Sequence, residues 1–481
     1  MARILYEAEN FNKPGGTGIK TYVENLAQAA RSIGFETGAL LSAQRAVNGK
    51  DPLLAEIDFY DARQSTSVLQ RFVHTPTRYV FGAPMGLRTT PLPRTGAVIR
   101  PDDARSAETV AFDRVHLSCR LSENARHHLV RYGRLARLRH SEQLDIFHAT
   151  HAVPLYAPRA ANIYTIHDIV PLRLPYTTRD NKKVFLETLR EICRRADHVV
   201  TVSEHSRRDI LSIVDIPEHK ITNTYQSVQI PSALLSQSDD DVARLVEHVH
   251  GLQYKKYFLF VGALEPKKNV SRLIDSFAAS GVSDPLVIAG GLGWDYDDAV
   301  ARVEQDHFHS YRFSGDRAVR ERKVRRLEYL SFPHLVGLIR GAKALLFPSL
   351  YEGFGLPVLE AMMLGTPVMT SRTSSLPEVA GDAALLVDPL DVPAMTRAIR
   401  ALDSDSDLRA GLAQLGLVQA QKFSPDAYRE RVRGVYRSVL GSAAVAANDR
   451  EDTSSALALG NPAFAQGHVG PTPANAALAA D

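Results

Sequence analysis

The stretch of sequence that decides the fold is Phe347-Pro-Ser-Leu-Tyr-Glu-Gly-Phe-Gly-Leu-Pro-Val-Leu-Glu-Ala-Met-Met-Leu-Gly-Thr-Pro-Val368. It predicts an apolar strand ending at Ser349, a loop in which two glycines flank Phe354, and a helix that carries Pro357 in its first turn, where proline is tolerated. The first backbone N–H groups of a helix have no partner within it. In this order of strand, loop and helix, the unpaired N–H groups at the helix start point beyond the carboxyl end of the strand. A diphosphate bound there could accept hydrogen bonds from them.

Two glutamates bracket the predicted start of this helix. Glu352 lies before it and Glu360 about one turn inside it. Carboxylates at this separation can each accept hydrogen bonds from sugar hydroxyls, one on either side of bound phosphates. Taken alone, two such acids are more commonly explained by complementation of the helix dipole.

Outward from this stretch, short apolar runs alternate with amphipathic segments in both halves of the chain. This alternation predicts repeated β-α units and parallel sheets, hence an α/β fold with two Rossmann-like domains. Ligands of such sheets bind beyond the carboxyl ends of the strands, in a crevice. The predicted strands are Arg3–Ala8, Thr37–Leu41, Leu144–His148, Asn162–His167 and His198–Val202 in the first half, and Tyr257–Val261, Leu286–Ala289, Leu345–Phe347, Pro367–Thr370 and Ala384–Val387 in the second.

At 481 residues the chain is long enough for two cores, so we expect two domains. The first is predicted at residues 1–235, with an irregular insertion at about 42–110, and the second at residues 250–425. An amphipathic helix is predicted at residues 426–440, and the tail at 441–481 is expected to be disordered because it is rich in Ala, Gly, Pro and Asn without a period.

Composition bounds the class of protein. A net charge of +3 argues against a dedicated nucleic-acid binder, and two cysteines provide neither a disulfide framework nor a metal cluster, which suits the reducing cytoplasm. No uncharged stretch has the length of a signal peptide or of a spanning helix, which needs about 20 apolar residues. We therefore expect a cytoplasmic protein with at most peripheral contact at the inner face of a membrane.

The decisive stretch resembles the E-x7-E motif of the family 4 retaining glycosyltransferases, which have the GT-B fold: two Rossmann-like domains whose parallel sheets face each other across a cleft. The resemblance includes Ser-Ser-Leu-Pro-Glu-Val-Ala-Gly-Asp within residues 371–389 and covers nearly all of residues 255–440. It implies that Glu352 contacts hydroxyls of the donor sugar and Glu360 the nucleotide ribose. Gly353, Phe354 and Gly355 would present backbone near the sugar and phosphates.

A second part of the resemblance is Val261-Gly-Ala-Leu-Glu-Pro-Lys-Lys-Asn269. Lys268 matches the family lysine that neutralises the donor diphosphate, and a fixed ammonium stabilises the charge that develops on a leaving nucleotide. The family's usual arginine five residues earlier is Ala263 here, and Lys267 is the residue expected to compensate. Without this context, the two lysines would be a solvated pair before a helix.

Polar residues also gather at strand ends in the first half. In Tyr164-Thr-Ile-His-Asp168, the histidine could cap a turn or contact a sugar hydroxyl. The resemblance implies that His167 faces the donor sugar, and His148 matches another family strand end with a weaker functional claim. Ser203 is predicted to cap a helix first and to neighbour a ligand second.

Glycines follow the first predicted strand, in Pro14-Gly-Gly-Thr-Gly18. Glycines at a strand–helix turn often only supply unusual φ angles. The resemblance implies more: that the backbone of Gly16 and Gly18 lies near the phosphates and the acceptor. It also implies that the helix at 426–440 crosses back to the first domain. Residues 1–235 then form the acceptor side, and residues 250–425 bind the nucleotide-sugar.

Two patterns invite other functions. Asp295-Tyr-Asp297 has the D-x-D spacing of metal-dependent glycosyltransferases of another fold, but it is better explained as a helix start. No His/Cys group has metal-ligand spacing, so no metal requirement and no cofactor are expected. The basic run 312–326 is predicted to be a solvated helix face, with contact to anionic lipid as the alternative.

The resemblance implies transfer of a hexose from a nucleotide-diphosphate sugar to a hydroxyl of a glycan or lipid-linked acceptor, with retained configuration. Its variant motifs look most like bacterial mannosyltransferases of surface-polysaccharide assembly, which favours GDP-mannose, with UDP-glucose or another hexose donor open. The alternatives are a nucleotide-sugar epimerase of the same fold and a non-catalytic nucleotide- or glycan-binding protein.

Overall fold

The computed structural model describes residues 1–12, 18–43, 51–61, 86–93, 95–99, 112–296, 301–302, 309–314, 317–328 and 330–441. Most of the predicted insertion at about 42–110 lies outside these residues, and so does the tail beyond residue 441. The expectations for those two segments remain predictions. Among the described residues, no helix combines the length and the apolar character needed to cross a membrane.

The first half of the chain builds an eight-stranded sheet in the order β11-β10-β9-β7-β1-β2-β5-β4. All neighbours pair in parallel except the short edge strand β4, which is antiparallel to β5. The first-half strands are β1 (Arg3–Glu7), β2 (Glu36–Ala43), β3 (Leu87–Arg88), β4 (Thr90–Pro91), β5 (Arg114–Cys119), β6 (Ala136–Arg139), β7 (Ile146–Ala149), β8 (Leu155–Tyr156), β9 (Ala161–Thr165), β10 (His198–Thr201) and β11 (Ile221–Asn223). Strands β3, β6 and β8 form a separate small sheet.

The strands of this sheet are buried along their length by the helices that pack on it, as β7, β9 and β10 show. The helices up to the domain junction are α1 (Gly18–Ser32), α2 (Pro52–Tyr60), α3 (Leu121–Tyr132), α4 (Val170–Arg173), α5 (Lys182–Arg195), α6 (Glu204–Ile213), α7 (Ser232–Leu235) and α8 (Asp239–His250). Each strand predicted in this half is present, with ends that differ by a few residues.

The second half builds a six-stranded parallel sheet in the order β16-β13-β12-β17-β18-β19. Its strands, with a separate two-stranded ribbon β14-β15, are β12 (Phe258–Val261), β13 (Leu286–Ala289), β14 (His309–Ser314), β15 (Arg317–Arg322), β16 (Val324–Leu327), β17 (Ala344–Phe347), β18 (Val368–Ser371) and β19 (Ala384–Val387). Its helices are α9 (Val270–Ser280), α10 (Phe332–Gly341), α11 (Leu356–Met363), α12 (Leu376–Ala380), α13 (Val392–Ser404), α14 (Ser406–Ala420) and α15 (Pro425–Leu440).

The helix predicted over the basic run 312–326 is wrong. The run forms strands instead: β14 pairs antiparallel with β15, with Tyr311 opposite Arg320, and β16 joins the edge of the second sheet. The sequence pattern explains the error, because Tyr311 and Phe313 alternate with polar residues at the period of a strand, and Gly-Asp at 315–316 is a dipeptide typical of hairpin turns. The density of arginines concealed that alternation.

The terminal helix α15 returns from the second domain to pack on α1 of the first, as the resemblance implied. The Tyr436 hydroxyl enters a buried polar chain there, hydrogen-bonding to the Tyr6 hydroxyl at 2.9 Å and to His148 Nδ1 at 3.0 Å. His148 Nε2 continues the chain to Thr165 Oγ1 at 2.9 Å. Burial lowers the pKa of His148 to about 3, so this imidazole is neutral and holds the sheet to the helix.

Replacing Tyr436 by phenylalanine should lower the free energy of unfolding by about 1–3 kcal/mol, because two buried partners lose their hydrogen bonds. The measurement is the shift in urea unfolding midpoint, followed by tyrosine fluorescence and circular dichroism. Tyr176→Phe removes a hydroxyl from a residue that is 74% exposed and serves as the control. Equal midpoints for the two variants would show that the buried chain does not hold the terminal helix.

Candidate active site

The decisive stretch folds as predicted, from the end of β17 at Phe347 to the start of α11 at Leu356. Gly355 stands at the N-cap with φ +116°, a conformation that residues with a Cβ rarely adopt. A Cβ at this position would also lie 2.8 Å from the side chain of Leu376. The glycine therefore lets the loop turn sharply, so that Glu352 lies before the turn and Glu360 within the helix.

Glu352 is a buried carboxylate paired with two lysines. Lys268 Nζ donates to Glu352 Oε1 at 2.7 Å, and Lys267 Nζ lies 3.9 Å from Oε2. The loop backbone is fixed from behind by Ser375, whose Oγ donates to the carbonyls of Glu352 and Phe354 at 2.9 and 2.8 Å. The structure thus brings the predicted Glu352, Lys267 and Lys268 into one cluster.

Glu352 and Lys267 are each held in the charged form by the opposite charges around them. Burial alone would raise the pKa of Glu352, but Lys268 and then Lys267 outweigh it and hold the pKa below its usual value. Burial would likewise lower the pKa of Lys267, and the facing carboxylates, Glu352 foremost, raise it instead. Two ammonium groups thus face the Glu352 carboxylate directly, and Asp168 and Glu265 add negative charge around Lys267.

The loop that carries Lys267 and Lys268, here called the lysine loop, is anchored by a residue for which the sequence suggested no role. Asn269 follows the short 3-10 turn at Pro266–Lys268 and adopts a left-handed conformation, with φ +61°. Its Nδ2 donates to the carbonyls of Pro348 and Pro389 at 3.1 and 2.6 Å, which ties the loop to the ends of β17 and β19. Asparagine is one of the residue types most often found in this conformation. An asparagine directly after the two lysines is therefore the sequence signal that could have identified this position.

On the first domain, His167 follows β9 at the carboxyl edge of the sheet. Its Nε2–H donates to the carbonyl of Thr150 at 2.9 Å, so Nδ1 is the lone-pair nitrogen of the neutral ring. Burial is the main cause that lowers the pKa of His167. The ring of Tyr22 meets the imidazole edge-on at 4.7 Å and fixes its plane.

The two domains meet at the loop that carries Glu352. A Cβ built on Gly353 would lie 2.6 Å from the carbonyl oxygen of His167 and 3.2 Å from Asp168 Cβ, so only glycine fits. Ser206 Oγ also donates to the Gly353 carbonyl, at 3.3 Å. The structure therefore places His167 and the Glu352 cluster at the same junction, as the sequence predicted.

Further contacts across the junction were not predicted. The Glu378 carboxylate accepts from the backbone N–H groups of Glu204 and His205, at 2.8 and 3.3 Å, and so occupies the N-terminus of α6. The Tyr351 hydroxyl donates to Asp209 of the same helix. Hydrogen bonds from His205, Tyr351 and Arg173 outweigh burial and lower the pKa of Asp209 to about 2.

The other predicted residues are placed as follows. Glu360 is half-buried on α11, and burial raises its pKa to about 7. Gly18 opens α1, and a Cβ there would lie 3.2 Å from Leu356 Cδ1 across the junction, whereas Gly16 lies outside the described residues. Ser203 caps α6 by accepting from Ser206 N–H, which confirms its structural role.

The D-x-D pattern lies beside a cavity. Asp295 has φ +52° in an irregular segment, and Asp297 lies outside the described residues, so the predicted helix start is untested. The cavity has a volume of about 390 Å³ and adjoins the lysine loop, from Glu265 to Arg272 and across to Tyr296. Its charged lining residues are Glu265, Arg272, Asp275, Asp295 and Arg302, and Lys267 and Lys268 are not among them.

Two family descriptions match the chain: "Glycosyl transferases group 1" over residues 248–416, and "Glycosyltransferase Family 4" over residues 97–228. The O-antigen chain mannosyltransferase B of Escherichia coli is 32% identical over 281 residues, which are 57% of this chain and 70% of that protein. The O-antigen chain mannosyltransferase RfbU of Salmonella typhimurium is 30% identical over 257 residues, 53% of this chain and 64% of that protein.

Similarity to solved structures extends over both domains. The crystal structure of Anabaena Alr3699/HepE in complex with UDP and glucose superposes with a TM-score of 0.61 at 14% sequence identity. The match covers 91% of this chain and all of that one. At this identity the similarity shows the fold alone, and it confirms the two facing Rossmann-like domains expected from the sequence.

Proposed function

The chain belongs to the family 4 glycosyltransferases of GT-B fold, and on this basis we propose that it transfers a mannosyl group from GDP-mannose to a hydroxyl of a growing or lipid-linked polysaccharide, with retention of configuration. That it is a glycosyltransferase follows from the family. The observation that carries the finer proposal is the buried cluster of Glu352, Lys267 and Lys268, which stands against His167 at the domain junction.

The cluster supplies the electrostatics that departure of a diphosphate needs. As the bond between the sugar and the phosphate breaks, its electron pair leaves with the nucleotide, and charge develops on the phosphate oxygens. Lys268, already held at 2.7 Å by Glu352, stabilises that charge without reorganisation. The N–H groups at the start of α11 add to this stabilisation. Lys267 takes over the role of the family arginine, whose position is occupied by Ala263 in this chain.

Sugar recognition falls to groups on both sides of the cleft. The Glu352 carboxylate is ionised and therefore accepts from donor-sugar hydroxyls while it holds the two lysines. His167 presents Nδ1 as an acceptor, because Nε2 is committed to the carbonyl of Thr150. A sugar held between them is in contact with both domains, so closure over it excludes water.

The new bond forms on the face that the diphosphate leaves. The acceptor oxygen attacks the anomeric carbon, its proton passes to a phosphate oxygen of the leaving group, and a nucleoside diphosphate is released. No cofactor enters this scheme. Lys267 and Lys268 carry the positive charge that a divalent cation supplies in other transferases, so we propose that transfer needs no metal.

The choice of donor rests on the relatives and on the motifs. The two relatives described above are both named mannosyltransferases, which favours GDP-mannose over UDP-glucose. The cavity of about 390 Å³ beside the lysine loop lies within the range of about 300–1,000 Å³ typical of ligand pockets, and we assign the nucleotide base to it. The acceptor would enter from the first domain, at the inner face of the membrane.

Removing the lysine charge tests the donor site. Lys268→Met should lower kcat by about 100- to 1,000-fold, because the leaving diphosphate loses a preorganised cation. Glu352→Gln should lower kcat/KM for the donor more than the affinity for the free nucleotide. Release of nucleoside diphosphate in the presence of acceptor measures the rate, and the exposed Lys256→Met is the matched control. A Lys268→Met rate equal to that of the control contradicts the assignment.

A panel of nucleotide-sugars, compared by thermal shift, identifies the donor, because a ligand that binds the folded state alone raises its apparent stability. GDP-mannose should give the largest rise. Epimerised donor after incubation without acceptor would instead support an isomerase, and binding without turnover of any donor would support a binding protein.

The pKa of Glu360 gives donor binding a pH dependence. If its carboxylate holds the ribose, GDP-mannose should bind more tightly as pH rises through about 7, where the group ionises, and more weakly as pH falls from about 7 to about 6. The donor's own diphosphate is fully ionised over this range, so it adds no titration. Calorimetry of wild type and Glu360→Gln makes the comparison. A pH dependence that persists in Glu360→Gln rules out this carboxylate as its source.

A further inference from the structure

A second group of ionisable side chains lies in the first domain, near the lateral edge of the sheet that β5 and β4 form. We call it the histidine cluster: His116 on β5, and His140 and Glu142 in the segment that follows β6. One ligand atom from each of the three residues lies within 4.8 Å of those of the other two. The pairing of the strands thus brings His116 close to His140, although 24 positions separate them in the sequence.

The spacing of the cluster is close to that of a metal site. His116 Nε2 lies 3.7 Å from Glu142 Oε1. Ligands at 2.0–2.2 Å from a tetrahedral zinc ion stand about 3.4 Å apart, so a shift of a few tenths of an ångström suffices for this pair. The two imidazole rings are 4.5 Å apart between centroids and inclined at 70°, which keeps them from stacking face to face.

His140 is oriented as metal-binding histidines usually are. Its Nδ1 lies 2.9 Å from the Thr89 hydroxyl, which can accept from Nδ1–H in the tautomer that leaves Nε2 as a lone-pair nitrogen. That Nε2 is buried and has no hydrogen-bond partner within the described part of the chain. Buried polar atoms without a partner are rare, and a bound ion is one of their explanations.

The charges around the cluster leave room for a cation. Arg114 and Arg3 approach Glu142 Oε2, at 2.6 and 3.8 Å, and compete for its carboxylate. Both also bond to Glu36, and their side chains are 44% and 39% exposed, so they can turn to Glu36 and solvent. Burial lowers the pKa of both imidazoles, that of His140 to about 4, which keeps their lone pairs available at neutral pH.

We propose that the histidine cluster binds one divalent transition-metal ion, with Zn²⁺ the best match to two imidazoles and one carboxylate, water completing the coordination. The ion cross-links β5, the segment after β6 and the Thr89 loop, which stabilises this edge of the first domain. It plays no part in transfer, because His116 lies on β5, four strands away from β9, whose end precedes His167.

Cobalt titration of the untagged, chelator-treated full-length chain tests the proposal. We expect one equivalent of Co²⁺ to bind with visible d–d absorption, and Zn²⁺ to displace it. His140→Ala and Glu142→Gln should abolish the band, and the exposed His219→Ala should retain it. Thr89→Val should weaken binding by about 10- to 100-fold, the usual effect of removing the group that orients a ligand. Arg114→Ala should tighten it.

A stability readout keeps the proposal independent of the variants' folding. Zn²⁺ should raise the unfolding temperature of the wild-type chain but not of Glu142→Gln, and a chelator should reverse the rise while leaving the transfer rate unchanged well below that temperature. The proposal is overturned if no saturable equivalent binds, or if His140→Ala and Glu142→Gln bind Co²⁺ as tightly as His219→Ala. Loss of transfer with intact metal binding concerns the donor site alone.

Discussion

The site depends on one steric constraint: Gly353 leaves no room for a side chain. An added Cβ would lie 2.6 Å from the carbonyl oxygen of His167, closer than such atoms approach. Only because the second domain presents bare backbone here can the loop of Glu352 meet the strand end of His167. Ser206, Glu378 and Tyr351 then hold the junction with hydrogen bonds that each join the two domains.

The charge cluster follows from the same geometry. Burying an ion pair costs desolvation, and it is retained where its members keep each other ionised and find further partners. Glu352 and Lys267 meet this condition, and the Asn269 hydrogen bonds fix the loop that carries Lys267 and Lys268. In the proposed reaction, two fixed ammonium groups would then be in place before the donor diphosphate binds, and such preorganisation lowers a transition state effectively.

Much of this could be predicted from the sequence, where the signal is local. Ten strands of the two sheets were predicted from apolar runs, whereas β4, β5, β11 and β16 were not. The placement of Glu352, Lys268 and His167 at strand ends follows from the β-α order. The prediction of a helix over the basic run 312–326 was wrong because its many arginines were given more weight than the two-residue alternation, which predicts strands.

What the sequence did not predict depends on contacts between distant positions. The sequence around Glu378 and Asp209 does not indicate that each contacts the other domain. The sequence around His116 likewise does not indicate that His140 and Glu142 lie beside it in the fold. Asn269 is an intermediate case: its motif was recognised, yet its two carbonyl partners lie 79 and 120 residues away. These contacts are set by the assembled sheets rather than by local pattern.

The most direct test of the account is the transfer rate of Gly353→Ala. The added methyl group must push the His167 strand end away, and a misplacement of about 1 Å can cost about 100-fold in rate. We predict a loss of that order, with affinity for the free nucleotide nearly unchanged because the contacts proposed for it lie within the second domain. Gly411→Ala, on α14 with open space around it, is the control. A Gly353→Ala enzyme as active as Gly411→Ala would contradict the claim that this contact builds the site.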